Sequence, residues 1–172
     1  ELYCKMLEEA VDKARGIEEI PEAEETAFNL PIPAILSERY IENEMLRLQM
    51  YKKIAMITSD EDESEIIDEL LDRFGDIPKA TMNLIKISKI RAMAGKLGIS
   101  EISQQGYKII FKLLENVKLT ERIMAGLIST YGGRMMINGG REPYIRLTIG
   151  KDDPLQAIEK FLQIAVGERK PN

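Results

Sequence analysis

Ile99-Ser100-Glu101-Ile102-Ser103-Gln104-Gln105-Gly106-Tyr107-Lys108-Ile109-Ile110-Phe111-Lys112-Leu113 is the stretch where the chain changes period. Ile99–Ser103 and Tyr107–Leu113 each alternate apolar with other residues, as strands with one buried face do. Gln104-Gln105-Gly106 between them reads as the turn of a hairpin. Everything from residue 42 to this point repeats at helical spacing instead. A chain that runs through helices first and strands later, with no regular strand–helix unit, predicts an α+β fold rather than a doubly wound sheet.

Upstream, Pro78 suits the first position of a helix that runs to about Leu97, with Gly98 as its stop. Met82, Leu84, Ile85, Ile90, Met93 and Leu97 mark its apolar face. Lys79, Lys86, Lys89 and Lys96 fall on the opposite side and read as a solvated face. Ser59 or Asp60 caps the preceding helix, whose predicted buried face is Ile66, Ile67, Leu70, Leu71 and Phe74, and Gly75 ends it. Another helix is predicted from about Glu42 to Thr58, with Met45, Leu46, Tyr51, Ile54 and Ala55 inward. Ser37 to Tyr40 makes a turn. Residues 28–36 alternate but contain Pro31 and Pro33, which have no N–H for a ladder, so they read as an edge strand or an extended arm.

Residues 16–27 are rich in Glu and read as an acidic linker. Leu2, Met6, Leu7, Ala10 and Val11 recur at helical spacing, so residues 1–15 are read as the end of an upstream helix in a longer polypeptide. Residues 28–172 form the domain proper. Downstream of the first hairpin, Thr120 caps a helix to about Tyr131, and Gly132-Gly133 breaks it. Arg134–Asn138 and Tyr144–Ile149 make a second hairpin around Gly139-Gly140. Asp153-Pro154 opens a last helix that buries Leu155, Ile158, Phe161, Leu162 and Ala165. The expected architecture is N-terminal helices, then short antiparallel hairpins packed with two further helices.

The composition excludes several chemistries. The chain has 172 residues, one cysteine and no histidine. Ser–His and Cys–His nucleophile pairs, a His base and His- or Cys-ligated metals therefore drop out. Cys4 reads as a small buried residue. No P-loop and no GxGxxG opening a helix occur. No apolar run approaches a membrane span, and no signal peptide opens the chain, so the expected place is the cytoplasm.

Charge is segregated although the net value is only −5. Residues 60–72 carry eight acids and no base, and residues 73–172 carry an excess of bases. The basic half invites a nucleic-acid reading, but ten aromatics without Trp form no recognition-module signature. Incidental phosphate contact fits it better than sequence readout. In the acidic helix, Glu61, Glu65, Asp68, Glu69 and Asp72 lie opposite the apolar arc. The pairs Glu61–Glu65, Glu65–Glu69 and Asp68–Asp72 are like charges at i,i+4, which repel mildly. The face is either a solvated surface or a docking face for Arg or Lys on another domain.

Three stretches carry a resemblance: Arg47-Leu48-Gln49-Met50-Tyr51-Lys52-Lys53-Ile54-Ala55, Glu69-Leu70-Leu71-Asp72-Arg73-Phe74-Gly75-Asp76-Ile77-Pro78, and Lys96-Leu97-Gly98-Ile99. With the arm Leu30-Pro31-Ile32-Pro33 and Tyr40-Ile41, they resemble the C-terminal domain of the bacterial transcription-repair coupling factor (Mfd) family. The opening Leu2–Val11 looks like the end of that family's translocase module. The resemblance is closest up to residue 100. It implies a parent protein that is an ATP-dependent translocase on duplex DNA, engages stalled RNA polymerase and recruits UvrA. It implies that this domain is not catalytic and holds no cofactor of its own, ATP belonging to the parent. Its implied role is autoinhibitory: it docks on a UvrB-like N-terminal module and masks the UvrA-binding surface. The family's acidic docking residues match Glu69 and Asp72. Glu65 and Asp68 join them by helical geometry, and Arg73 either assists or pairs with nearby acids. Phe74, Gly75 and Pro78 are read as core anchor, helix stop and helix start. An acidic module for another partner, or an auxiliary DNA contact through the basic half, remain alternatives.

Overall fold

Side-chain caps set most helix starts in the computed structural model, which describes residues 26–115, 117 and 119–167. Asn43 caps α1 (Glu44–Ala55), Ser59 caps α2 (Asp60–Phe74), Thr120 caps α4 (Glu121–Tyr131) and Asp153 caps α5 (Pro154–Val166). Each side-chain oxygen accepts from a backbone N–H three residues on, satisfying one of the helix's orphan donors. Helix α3 (Lys79–Lys96) lacks such a bond; Pro78 is its N-cap rather than its first residue. The five strands are β1 (Ala27–Asn29), β2 (Ile99–Gln105), β3 (Lys108–Leu113), β4 (Met135–Asn138) and β5 (Tyr144–Thr148).

The expected α+β class is the one the chain forms. The sheet order is β1-β2-β3-β5-β4. All neighbours are antiparallel except β1, which pairs in parallel with β2, Phe28 opposite Ile102. The two expected hairpins are antiparallel, and the edge strand joins them in parallel, so the sheet is mixed. The three helices between β1 and β2 serve as the crossover that parallel pairing requires. Of the arm at 28–36, only its first two residues enter the ladder, because the prolines that follow cannot donate. The rest lies along the start of α3. Ile35 N–H donates to the Ala80 carbonyl at 3.1 Å, the Thr81 hydroxyl to Ile35 at 2.9 Å, and the Asn83 amide to Pro33 at 2.9 Å. Thr26 and Ala27, read as the linker's end, belong to the sheet instead: the buried Thr26 hydroxyl donates to the Ile99 carbonyl at 2.7 Å. Residues 1–25, with Cys4 and the Leu2–Val11 helix reading, lie outside the described residues.

Two apolar clusters meet on α3. Leu84 and Ile85 pack with Met50 and Ile54 of α1 and Ile66 and Leu70 of α2. Ile87, Ile90, Met93 and Ala94 pack with the inner face of the sheet and with α5. Burial corrects four expectations. Met45 is 73% exposed, Leu71 is 46% exposed and Ala55 is also exposed. Helix α1 carries apolar residues on every side, so its periodicity could not choose the inward face. Lys89 is buried, not solvated.

Gly106 has φ +59° and leads the two-residue turn Gly106-Tyr107, tighter than the three residues expected and of the kind a II′ turn requires. Gly98, at φ +73°, turns α3 into β2, and a Cβ there would collide with Val117 Cγ2. Gly98→Ala is expected to cost about 2 kcal/mol, from left-handed strain together with overpacking. A urea melt beside wild type measures it; a loss below about 0.5 kcal/mol would contradict this account.

Candidate functional site

The eight acids of residues 60–72 divide by what each one touches. Asp62 completes the N-terminus of α2: it accepts from the Thr58 N–H and hydroxyl, each at 3.1 Å, and these bonds hold its carboxyl below the ordinary aspartate range. Asp60 and Glu63 turn toward α3. There Lys89 meets Glu159 of α5 at 2.9 Å and Glu63 at 3.4 Å, and also pairs with Asp60. Lys86 lies 3.2 Å from Glu63 and 3.7 Å from Glu159. Burial pushes the Lys89 ammonium down, but hydrogen bonds to Asp60 and Glu159 and the charges of Glu159 and Glu63 outweigh it, so its pKa is raised. This network ties α2 to α3 and α5 and fixes which way the rest of α2 faces.

Glu69 is also engaged. Its carboxylate accepts from Lys53 of α1 at 2.9 Å and from Arg73, one turn on, at 2.7 Å. These two partners, Lys53 first, lower its pKa. The repulsion expected along the helix is thus relieved at this position by a cation from another element. Arg73 pairs with Glu69 and stacks over Phe74, its Cζ 5.1 Å from the ring centroid. Phe74 is half-buried and meets Tyr40 edge-on at 6.0 Å. The Tyr40 hydroxyl donates to the Gly75 carbonyl at 2.9 Å, which pins the end of α2.

Glu61, Glu65, Asp68 and Asp72 remain. They have no hydrogen bond or ion pair among the described residues, and at 100° per residue they fall within an arc of about 60°. Glu69 flanks this stripe on the side of α1. The exposed Leu71 flanks it on the other. Of the sequence-predicted site residues, Glu65, Asp68 and Asp72 lie together in the free stripe, whereas Glu69 and Arg73 form a pair beside it. Leu71 and Lys53 are the neighbours that sequence reasoning missed; the first was read as core and the second has no local signal. Besides this face there is a groove of about 280 Å³ between the arm, α1 and α3, lined by Phe28, Ile32, Tyr51, Ile54, Ile87 and Arg91 among others. Among the described residues, no carboxylate lines it. No group of potential metal ligands occurs among the described residues. No described helix is long and apolar enough to cross a membrane.

The sequence matches the TRCF domain family over residues 30–123, more than half of the chain. The chain belongs to the TRCF domain family. A transcription-repair-coupling factor of Staphylococcus haemolyticus strain JCSC1435 is 34% identical over 166 residues, 94% of this chain and 14% of the relative. The factor of Staphylococcus epidermidis strain RP62A is 36% identical over 172 residues, 98% of this chain and 14% of the relative. The chain thus spans about one seventh of the length of these TRCF relatives. In fold, it is similar to a crystal structure of the C-terminal domain of transcription-repair coupling factor. The TM-score is 0.68 at 21% identity, over 83% of this chain and 92% of that one. The free acids of α2 lie within the TRCF-matched segment.

Proposed function

We propose that this TRCF domain is a non-catalytic regulatory module that docks through α2 on a UvrB-like N-terminal module of its parent. Docked, it covers the surface that UvrA uses, until engagement of stalled RNA polymerase on duplex DNA opens the contact. The ATP-driven translocase activity belongs to the parent's other segments. One observation carries the reading: a stripe of four acids without partners among the described residues, on a helix that is itself anchored by a buried ion network. Unpaired like charges in a row repel, and cations on a partner offset that repulsion through charge-assisted bonds. A weak charged interface suffices when both halves share one chain, because tethering gives a high effective concentration.

In this reading Asp72, Asp68 and Glu65 contact the partner directly. Glu69 competes for its own Lys53 and Arg73, so its contribution is smaller than that of Asp72. The test measures binding of this chain to the isolated UvrB-like module at low and moderate salt. Glu69→Ala/Asp72→Ala is expected to weaken binding about tenfold, since exposed pairs contribute little one by one. Asp72→Ala alone should retain most of that loss. In the intact parent the double variant should raise UvrA binding. Salt-insensitive docking, or unchanged UvrA affinity in the double variant, would refute the proposal.

A further inference from the structure

Among the described residues, the five-stranded sheet buries only one of its faces. Ile102, Ile109, Phe111, Ile145 and Leu147 point into the core, and the alternating positions between them point out. None of the outward residues on β1 to β5 is buried. On the two central strands β3 and β5, Lys108 lies opposite Thr148, Ile110 opposite Arg146, and Lys112 opposite Tyr144. Each rung therefore presents one cation: Lys108, then Arg146, then Lys112. Successive rungs are two residues apart, about 6.8 Å. That is close to the separation of neighbouring phosphates along one nucleic-acid strand.

The rest of the face fits the same ligand. Glu101 is the single acid among the outward strand positions, and it pairs with Lys112 at 3.2 Å. Lys108 and Arg146 have no carboxylate partner among the described residues; the Arg146 guanidinium rests 3.2 Å from Met136 Sδ. An aromatic stands at each end of the stripe. Tyr107, 65% exposed, occupies the turn beside Lys108, and Tyr144 lies beside Lys112. Ile110 forms an apolar floor between them. Unpaired bases stack on such rings while the backbone follows a basic track. A duplex hides the faces of its bases from such rings.

We propose that the open face of the sheet is a binding platform for single-stranded DNA. Lys108, Arg146 and Lys112 engage successive phosphates, and Tyr107 and Tyr144 stack on bases at the two ends. The surface is distinct from the acidic stripe of α2, so this proposal stands or falls independently of the docking reading.

Fluorescence anisotropy of a labelled oligothymidine, titrated with the whole 172-residue chain, tests it. The expected result is micromolar binding at low salt, with log K falling against log salt at a slope of about −2 for three phosphates. Lys108→Glu/Arg146→Glu should weaken binding more than about tenfold while leaving the thermal melt near wild type. Lys79→Glu/Lys96→Glu, a reversal of exposed cations on α3, should leave it within about twofold. Tyr144→Ala should weaken binding several-fold without changing the salt slope. The proposal is overturned by absence of binding at low salt, by equal losses in the two double variants, or by tighter binding of duplex DNA. Tighter binding of the matching RNA, or equal affinity for polyglutamate, also overturns it.

Discussion

Lys89→Met is expected to destabilise the domain by about 3–5 kcal/mol, because removing one partner of a buried ion network strands the others. Lys89 is buried among Asp60, Glu63 and Glu159. Without its ammonium, Glu63 and Glu159 would share Lys86, and Asp60 would lose its ion-pair partner among the described residues. Glu63 Oε2 already lacks a hydrogen-bond partner among the described residues. The thermal midpoint should fall by about 10 °C for a chain of this size. Lys79→Met, at an exposed position of the same helix, should stay within about 0.5 kcal/mol. A Lys89→Met loss below about 1 kcal/mol would show the network to be no more than a surface cluster.

The pH dependence of this contribution follows from its sign. The pKa of Lys89 is raised in the fold above its ordinary value of 10.5. The stability it contributes is therefore fully present below pH 10.5 and is lost only as pH rises through the higher folded value. Wild type and Lys89→Met should keep a constant gap through neutrality and converge in strong alkali. Glu69 behaves oppositely. Its pKa is lowered below the ordinary 4.5, so its contribution is present above pH 4.5 and disappears as pH falls through the folded value.

The second large effect is Phe161→Ala, expected to cost about 3–5 kcal/mol. Phe161 is fully buried on α5 and stacks on Phe111 of β3 with ring centroids 4.1 Å apart and planes at 12°. The ring of Tyr131 of α4 lies 5.8 Å from that of Phe161, tilted by 36°. Truncation removes the contact that joins sheet, α4 and α5 and leaves a cavity that three separate elements would have to collapse to fill. The helical cluster should melt with the sheet, because α3 runs through both. Chemical denaturation followed by far-ultraviolet circular dichroism and by tyrosine fluorescence should give coincident transitions. Separate transitions would mean that α3 does not couple the two cores.

Much of this domain was legible locally. The caps Ser59, Thr120 and Asp153, the stops Gly75, Gly98 and Gly132, and most of the buried faces of α2, α3 and α5 are short-range chemistry. In α5 the five residues its spacing predicts are all buried, and Ile164, which the spacing did not mark, is buried beside them. Helix α1 defeats the same method because its apolar residues encircle it; Met45 and Ala55 carry no mark that tells them from Met50 and Ile54. Leu71 lies near the edge of its helix's apolar arc, and only the neighbour that failed to arrive there left it exposed.

The candidate surfaces divide the same way. The sequence alone determined the α+β class, the element order, the segregation of charge and the family resemblance, because periodicity, capping and motif order act within a few residues. The tertiary structure alone decided which charges are free. Lys53 reaches Glu69 across 16 positions of chain, and Lys89 reaches Glu159 across 70. Pairing at that range depends on how helices cross. It also decided that Lys108, Arg146 and Lys112 form one line, because ladder register, not chain order, sets a β5 cation between two on β3.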